Sequence, residues 1–186
     1  AFPDRAVFVW VVAHKEIPAF RWLTRTIREA EESLADLRAK GNTAETSKRQ
    51  LKILIYITSY SAGEAERFLR QSEEERGADD TGLWGLPYQQ DAGVDRAHLS
   101  WNEMDLYSAM MNPQKGTKQF GNTSVILGRP DWDEVFGDVQ STTPETDVGV
   151  TFCGNPRIGR DLKNNCLKYT LRDNKRVKWH LHKEVF

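Results

Sequence analysis

The stretch that decides the fold is Val148-Gly149-Val150-Thr151-Phe152-Cys153-Gly154-Asn155-Pro156-Arg157-Ile158-Gly159. Its apolar first half predicts a short buried strand that ends at Gly154 and turns into a helix. Asn155 suits the cap of that helix, and Pro156 suits its first position, where a missing backbone N–H costs nothing. Open α/β sheets bind ligands at such joints, so Cys153 lies at one lip of a predicted crevice. On this segment alone, a strand-to-helix turn with a core thiol is the simpler interpretation.

Composition limits the class of protein. The chain has 186 residues, of which 39% are hydrophobic, which is enough for one sizeable core. Its formal net charge of -1 gives no reason to expect nucleic acid as a partner. Two cysteines, Cys153 and Cys166, make no disulfide framework and lack zinc-ligand spacing, so a reducing compartment fits best. The sequence has no apolar run of about 18 residues, and we expect no membrane-spanning helix within it.

The first half of the chain alternates strand and helix. Ala6 to Val12 is apolar without alternation, which predicts a strand covered on both faces in a mainly parallel sheet. Apolar residues at three- and four-residue spacing from Phe20 to Leu37 predict an amphipathic helix that ends at Gly41. Its acidic residues, Glu31 among them, are expected to face solvent. Leu51 to Thr58 completes a strand, helix, strand unit.

Residues 60 to about 122 interrupt this rhythm and are interpreted as an insertion with helical content. Glu64 to Glu75 predicts a charged surface helix, and Gly77 to Gly93 predicts a loop. Ser100 and Glu103 are spaced as a capping box, which predicts a second helix that ends at Asn112. Its three methionines are expected to be packing residues: Met104, Met110 and Met111.

The alternation resumes after the insertion. Thr123 to Leu127 predicts a strand, and Asp131 to Phe136 predicts a short helix with a capping box between Asp131 and Glu134. One face of the helix that follows Asn155 is marked by Ile158, Leu162 and Cys166. Residues 176–186 predict an edge or solvent-facing strand, because Val177, Trp179 and Leu181 alternate with basic and imidazole side chains.

Two strand ends carry side chains suited to a nucleotide, Gly128-Arg129-Pro130 and Cys153-Gly154-Asn155-Pro156. A basic side chain near a strand end can select a 2′-phosphorylated ribose, and Arg129 is the first candidate. A surface arginine at a turn fits equally well. His14 and Lys15 follow the first strand in the analogous place, where a solvated turn is the simpler interpretation.

Other kinds of site find little support. His180 and His182 share one strand face, but no third ligand of matching type is visible, so no metal site is predicted. No base stands near Cys153 in the sequence, so a nucleophilic role is not indicated. A G-x-G-x-x-G fingerprint, a P-loop and a Ser/His/Asp arrangement are also absent from the sequence.

Six short motifs stand in order along the chain: Phe8-Val9-Trp10-Val11-Val12, Phe20-x-Trp22-Leu23, Ile55-Tyr56-Ile57-Thr58-Ser59, Gly128-Arg129-Pro130-Asp131-Trp132, Val148-Gly149-Val150-Thr151-Phe152-Cys153-Gly154 and His182-Lys183-Glu184-Val185-Phe186. Together they resemble the NADPH-binding half of the NADPH oxidase family, whose relatives include dual oxidases, plant respiratory burst oxidases and ferric reductases. The resemblance implies a ferredoxin-reductase-type NADP-binding lobe, in which a parallel sheet carries helices on both faces. Residues 1–186 would form the C-terminal part of that domain, incomplete at its N-terminal side.

The family resemblance also implies a chemistry. In that family, hydride passes from NADPH to FAD, and electrons then cross the membrane through two haems to oxygen, which yields superoxide. Arg129, followed by Pro130, resembles the arginine at the 2′-phosphate, whereas Cys153 and Gly154 resemble the pair on the nicotinamide side. Phe186 resembles the terminal aromatic that stacks on the flavin. Two further expected cofactor contacts are Thr58 and Asn155.

Several departures from the family pattern are visible. Ala13 stands where the family usually has an arginine that reads the 2′-phosphate. Either His14 or Lys15 substitutes, or Arg129 carries the discrimination, or the preference for NADPH over NADH is weakened. The family's Gly-rich pyrophosphate segment, flavin barrel and haem helices are not found in this sequence, and Val185 replaces the usual asparagine. We therefore expect the isolated chain to be inactive and to bind NADPH weakly or undetectably.

The resemblance leaves three functions open. In the first, the chain is the NADPH-binding lobe of a superoxide-generating oxidase. In the second, it is the same lobe of a ferric-chelate reductase, in which electrons follow the same path to a ferric acceptor. The third is a non-catalytic nucleotide-type module whose insertion docks a partner. For the first two, the expected partners are the FAD domain and the transmembrane haem domain of the same enzyme, with regulatory proteins as further candidates. The lobe itself would be soluble and lie on the cytosolic face of a membrane.

Overall fold

A computed structural model describes residues 5–40, 50–60, 63, 99–142, 147–171 and 177–184. It contains two compact units, residues 1–129 and residues 130–186. The elements of the first unit are β1 (Arg5–Ala13), a 3-10 helix (His14–Phe20), α1 (Arg21–Lys40), β2 (Gln50–Thr58), α2 (Glu103–Met111), β3 (Thr117–Phe120) and β4 (Thr123–Leu127). Those of the second unit are α3 (Trp132–Thr142), β5 (Asp147–Cys153), α4 (Pro156–Leu171) and β6 (Lys178–Glu184).

The sheet of the first unit has the strand order β1-β2-β4-β3. β1 pairs with β2 and β2 with β4 in parallel, whereas the short β3 pairs with β4 in antiparallel. The apolar run of β2 is buried from Ile53 to Ile57, as a continuous apolar strand in the middle of a parallel sheet should be. The mixed α/β class with a mainly parallel sheet is therefore confirmed.

β1 is less covered than its sequence predicts. Val12 is buried, but Phe8 on the same strand is 44% exposed. β1 is an edge strand of the described sheet, and the ring of Phe20 packs edge-on against Trp10 in its carboxyl-terminal half. The prediction of a strand covered on both faces is therefore wrong for the amino-terminal half of β1.

The helix α2 is capped two residues later than predicted. Asn102 Oδ1 accepts hydrogen bonds from the backbone N–H groups of Met104 (2.8 Å) and Asp105 (3.0 Å), and Asp105 Oδ2 accepts one from Asn102 N (2.7 Å). This pair is a complete capping box, so the predicted pair of Ser100 and Glu103 is wrong. The helix ends at Met111, close to the predicted stop at Asn112.

The last part of the predicted insertion, from Trp101 to Met111, packs into the core of the first unit. Trp101, Leu106, Met110 and Met111 are buried, which confirms the packing role of the last two residues. Two arginines of α1 contact this segment through their cationic groups: Arg21 lies over the ring of Tyr107, and Arg28 lies over that of Trp101. The predicted helix from Glu64 to Glu75 and the loop from Gly77 to Gly93 lie outside the described residues.

Glu31 of α1 is buried, contrary to the prediction of a solvated acidic face. The residue is 3% exposed. Its carboxylate accepts hydrogen bonds from Asn122 N (2.8 Å), Asn122 Nδ2 (2.6 Å) and Thr123 Oγ1 (2.8 Å). These donors offset the cost of removing the carboxylate from water, and they attach the turn between β3 and β4 to α1.

The second unit has its own core around a parallel pair of strands, β5 and β6. The ring of Trp179 on β6 stacks on Phe136 of α3 with centroids 4.5 Å apart. Leu162 and Cys166 are buried on α4, as predicted, and α3 extends to Thr142, beyond the predicted end at Phe136. Residues of β5 alternate between exposed and half-buried, so the prediction of a buried strand there is wrong.

Candidate functional site

The carboxyl ends of three parallel strands lie level along one edge of the first unit's sheet. Ala13 of β1 pairs with Thr58 of β2, and Ile57 of β2 pairs with Leu127 of β4, the residue before Gly128. The N–H of Gly128 donates to the carbonyl oxygen of Ile57 (2.8 Å), which continues the ladder to this edge. In open α/β sheets, this carboxyl edge is where ligands bind.

The two outer strands of this trio each deliver an exposed cation to the edge. Lys15 follows β1 and Arg129 follows β4, and both side chains are exposed. Their strands flank β2, which at ordinary strand spacing separates the two strand ends by about 10 Å. Thr58 lies between them, and its hydroxyl donates to the carbonyl oxygen of Val12 (3.2 Å).

His14 is fully buried, so the solvated turn predicted for it is wrong. Its Nε2 is 2.8 Å from the carbonyl oxygen of Met111, at the end of α2. Because a carbonyl oxygen can only accept, Nε2 carries the hydrogen and donates. The imidazole therefore holds the start of the 3-10 helix to the end of α2, and Lys15, the next residue, is exposed at this edge.

Glycine at position 128 gives a ligand close access to the backbone. Gly128 has φ +122°, and a β-carbon added there would have no other atom within 4 Å. That conformation is one that residues with side chains rarely adopt, and the open space beside it is free for a ligand. An exposed arginine and an exposed lysine are donors that suit a phosphorylated ribose, and Gly128 adds space beside the backbone.

The second unit carries the predicted strand-to-helix joint. β5 ends at Cys153, Gly154 has φ +140°, and α4 begins at Pro156. Asn155 caps the helix, because its Oδ1 accepts from the backbone N–H of Arg157 (2.9 Å). The turn, the cap and the helix are confirmed, but Cys153 is exposed rather than a core thiol.

Two other predicted site residues belong to this unit. Pro130 is half-buried, and the next residue, Asp131, caps α3 by accepting from the N–H groups of Asp133 (2.9 Å) and Glu134 (3.3 Å). Phe186 lies outside the described residues. Its expected position on a flavin stays a prediction.

A cleft of about 370 Å³ in the second unit has an acidic lining. Three carboxylates, those of Asp131, Asp133 and Asp161, line it with one ammonium group, that of Lys168, which is ion-paired with Asp133. Carboxylates repel phosphate, so the dinucleotide site is not assigned to this cleft.

The histidines of β6 lie on its exposed face. His180 Nε2 is 3.2 Å from Asp147 Oδ1, and His182 is exposed. Among the residues that the structure describes, no three or more His, Cys, Asp or Glu side chains are grouped so as to hold a metal ion. No helix among these same residues has the length and apolar character that crossing a membrane requires.

A parallel α/β sheet with cations at its carboxyl edge is typical of nucleotide-binding lobes. The capped strand-to-helix joint of the second unit is a second feature of that class. The family model described as "Ferric reductase NAD binding domain" matches residues 4–167. The chain therefore belongs to the ferric reductase NAD-binding domain family, and its resemblance to NADPH oxidases is confirmed.

Similarity to NADPH oxidases extends along the chain at modest identity. NADPH oxidase 1 of Rattus norvegicus is 36% identical over 60 residues, which is 32% of this chain and 11% of that protein. A superoxide-generating NADPH oxidase heavy chain of Dictyostelium discoideum is 30% identical over 86 residues, 45% of this chain and 12% of that protein. The putative respiratory burst oxidase homolog protein H of Arabidopsis thaliana is 24% identical over 181 residues, 96% of this chain. The match covers 15% of that Arabidopsis protein, so the chain corresponds to a small part of such relatives.

Proposed function

We propose that this chain is the NADPH-binding lobe of a transmembrane flavocytochrome NADPH oxidase, an oxidoreductase that generates superoxide. The observation that carries the proposal is the carboxyl edge of the first unit, where Lys15 and Arg129 flank Thr58 on three level strand ends. The similarity to oxidases that bear this activity in their names supports it.

Arg129 and Lys15 bind the phosphorylated ribose in this proposal. A guanidinium offers two parallel N–H donors to phosphate oxygens, and an ammonium adds a point charge. Gly128 leaves room for the phosphate to approach the backbone. Because Ala13 offers no charge and His14 is buried, discrimination between NADPH and NADH rests on Arg129 and Lys15.

The resemblance to NADPH oxidases is what assigns a nicotinamide wall to Cys153 and Gly154 in this proposal. The exposed Cys153 and the open turn at Gly154 form that wall, and Asn155 sets the start of the helix behind it. Phe186 would cover the flavin in the complete enzyme and move aside for nicotinamide, as the family resemblance implies. This role does not require Cys153 to transfer a proton, because the protein contributes by orienting the nicotinamide ring.

The chemistry comes from the cofactors. When bound, NADPH would supply a hydride to FAD, and haem groups would pass the two electrons one at a time to oxygen. FAD and haem would be held by the FAD domain and the transmembrane domain of the same enzyme, which are the partners of this lobe at the cytosolic face of the membrane. Regulatory proteins are further candidate partners, and this chain alone is expected to be inactive.

A ferric-chelate reductase is the second candidate, which the description of the matching family favours. The same lobe would bind NADPH, and only the acceptor would differ. Superoxide formation and ferric-chelate reduction, assayed side by side in membranes that hold the complete protein, separate the two. Superoxide in the absence of ferric-chelate reduction supports the oxidase, and the reverse result supports the reductase.

The nucleotide site is tested by Arg129→Ala in the complete enzyme. We expect the KM for NADPH to rise far more than the KM for NADH, because only NADPH carries the 2′-phosphate. Arg38→Ala is the matched control and should change neither KM, because it removes an exposed arginine near the end of α1, where the crossover returns the chain to the amino end of β2. An equal rise in both KM values would contradict the role of Arg129.

A further inference from the structure

Tyr60 lies at the middle of the proposed nucleotide edge. It follows Thr58 and Ser59 at the carboxyl end of β2, the strand between β1 and β4. The ends of those two strands lead to Lys15 and Arg129. Tyr60 is 37% exposed, whereas Tyr56, four residues earlier on β2, is 7% exposed. An accessible aromatic ring thus stands between the two strand ends that carry cations.

A buried histidine holds this ring. The rings of Tyr60 and His14 are 4.9 Å apart between centroids and meet at 87°, which is an edge-to-face contact. His14 is fully buried, and its hydrogen bond to the carbonyl oxygen of Met111 fixes the imidazole. An edge-to-face contact occupies one edge or one face of the tyrosine ring, so His14 leaves the opposite side of the ring uncovered.

The backbone also turns sharply just before Tyr60. Ser59 has φ +56°, in the left-handed region that residues with side chains seldom adopt. Conformations of this kind cost about 1–3 kcal/mol and cluster at ligand sites. The turn ends β2 and brings the following ring back toward His14.

We infer that Tyr60 is the platform on which the adenine base of the dinucleotide stacks, with His14 as the residue that positions it. This inference rests on the proposed function, because it assigns a base subsite to the same edge. A purine offers a flat π-face, and stacking on an aromatic side chain is a general way to bind one. The flanking cations bind the phosphate on the attached ribose, so base and phosphate are recognised by neighbouring strand ends.

The experiment titrates adenosine 2′,5′-bisphosphate into the 186-residue chain by NMR, which detects millimolar binding. Tyr60→Leu should raise the Kd about tenfold, the size of one base-to-aromatic stacking contact. Tyr60→Phe keeps the ring and should leave the Kd within about twofold of wild type. Phe8→Leu is the matched control, because it removes an exposed aromatic about 17 Å along β1 from the carboxyl edge.

Stacking also has a direct spectroscopic signature. At saturating ligand, adenine protons should show nuclear Overhauser effects to the ring protons of Tyr60. His14→Gln can still donate to Met111 but lacks the imidazole ring, so these effects should weaken while the melting temperature changes little. Unchanged effects in His14→Gln would contradict the positioning role of His14.

The outcomes separate the inference from the proposed function. If Arg129→Ala weakens binding and Tyr60→Leu does not, the stacking platform is wrong and the nucleotide edge stands. If Tyr60→Leu weakens binding and Arg129→Ala does not, the platform stands and the phosphate role of Arg129 is wrong. If the wild-type chain shows no binding, the same variants are compared by the Ki of adenosine 2′,5′-bisphosphate against NADPH in the complete enzyme. A Ki that is unchanged in both Tyr60→Leu and Arg129→Ala contradicts both.

Discussion

A β-carbon added to Gly159 on α4 would lie only 2.8 Å from Cε1 of Phe152 on β5. Alanine is a better helix former than glycine by about 1 kcal/mol, but the overlap with the ring costs about 1–3 kcal/mol. We expect Gly159→Ala to lower the free energy of unfolding, as measured by urea denaturation. In a Phe152→Leu background the overlap is relieved, and the same substitution should become neutral or stabilising. Stabilisation in the wild-type background would show that the ring moves aside at no cost.

The buried carboxylate of Glu31 should contribute far more to the free energy of unfolding than the exposed carboxylate of Glu29. Glu31→Ala leaves the N–H of Asn122 and the hydroxyl of Thr123 without their acceptor, which costs about 2–4 kcal/mol. Glu29 makes an exposed ion pair with Arg25 in the same helix, and Glu29→Ala should cost about 0–0.5 kcal/mol. Urea denaturation of the two variants measures the difference. Equal losses would mean that the β3 to β4 turn is not held by Glu31.

Replacement of Gly128 measures the cost of its positive φ separately from any side-chain clash. An added β-carbon would meet nothing within 4 Å at either Gly128 or Gly149, but only Gly128 has a positive φ, of +122°. Gly128→Ala should therefore destabilise by about 1–3 kcal/mol, whereas Gly149→Ala should be neutral or stabilise by up to about 1 kcal/mol. Thermal unfolding compares the two. A loss at Gly149 as large as that at Gly128 would rule out strain as the cause.

The two thiols should react at very different rates. Cys153 is exposed, whereas burial on α4 raises the pKa of the Cys166 thiol. A disulfide reagent at pH 8 should therefore label one thiol rapidly and the second only as fast as the chain unfolds. Cys153→Ser should abolish the rapid phase and leave the slow one. Persistence of the rapid phase would place an accessible thiol at Cys166.

The raised pKa of Cys166 also sets a dependence of stability on pH. Below the unfolded-state pKa of about 8.5, the Cys166 thiol does not change the free energy of unfolding with pH, because it is protonated in both the folded and the unfolded chain. Above it, the unfolded chain ionises first, so stability falls as pH rises until the folded pKa is passed. Cys166→Ala should flatten this alkaline decline in urea denaturation experiments. An unchanged slope would assign the decline to other groups.

Local features of the chain were predictable from its sequence. The turn at Gly154, the cap at Asn155 and the apolar face of α4 depend on residues a few positions apart, so their side chains and backbone preferences suffice. The continuous apolar run of β2 likewise indicates a central parallel strand. The six ordered motifs were enough to indicate the family.

Only the tertiary structure decided which polar side chains are buried and which thiol is exposed. His14 bonds to Met111 across 97 positions, and Glu31 bonds to Asn122 across 91, separations over which periodicity carries no information. Burial of a polar group depends on whether a remote segment brings it a partner, since an unpaired one would cost several kcal/mol. The accessible ring of Tyr60 arises in the same way, because the sequence shows an aromatic after a strand and only the fold sets it between two cationic strand ends.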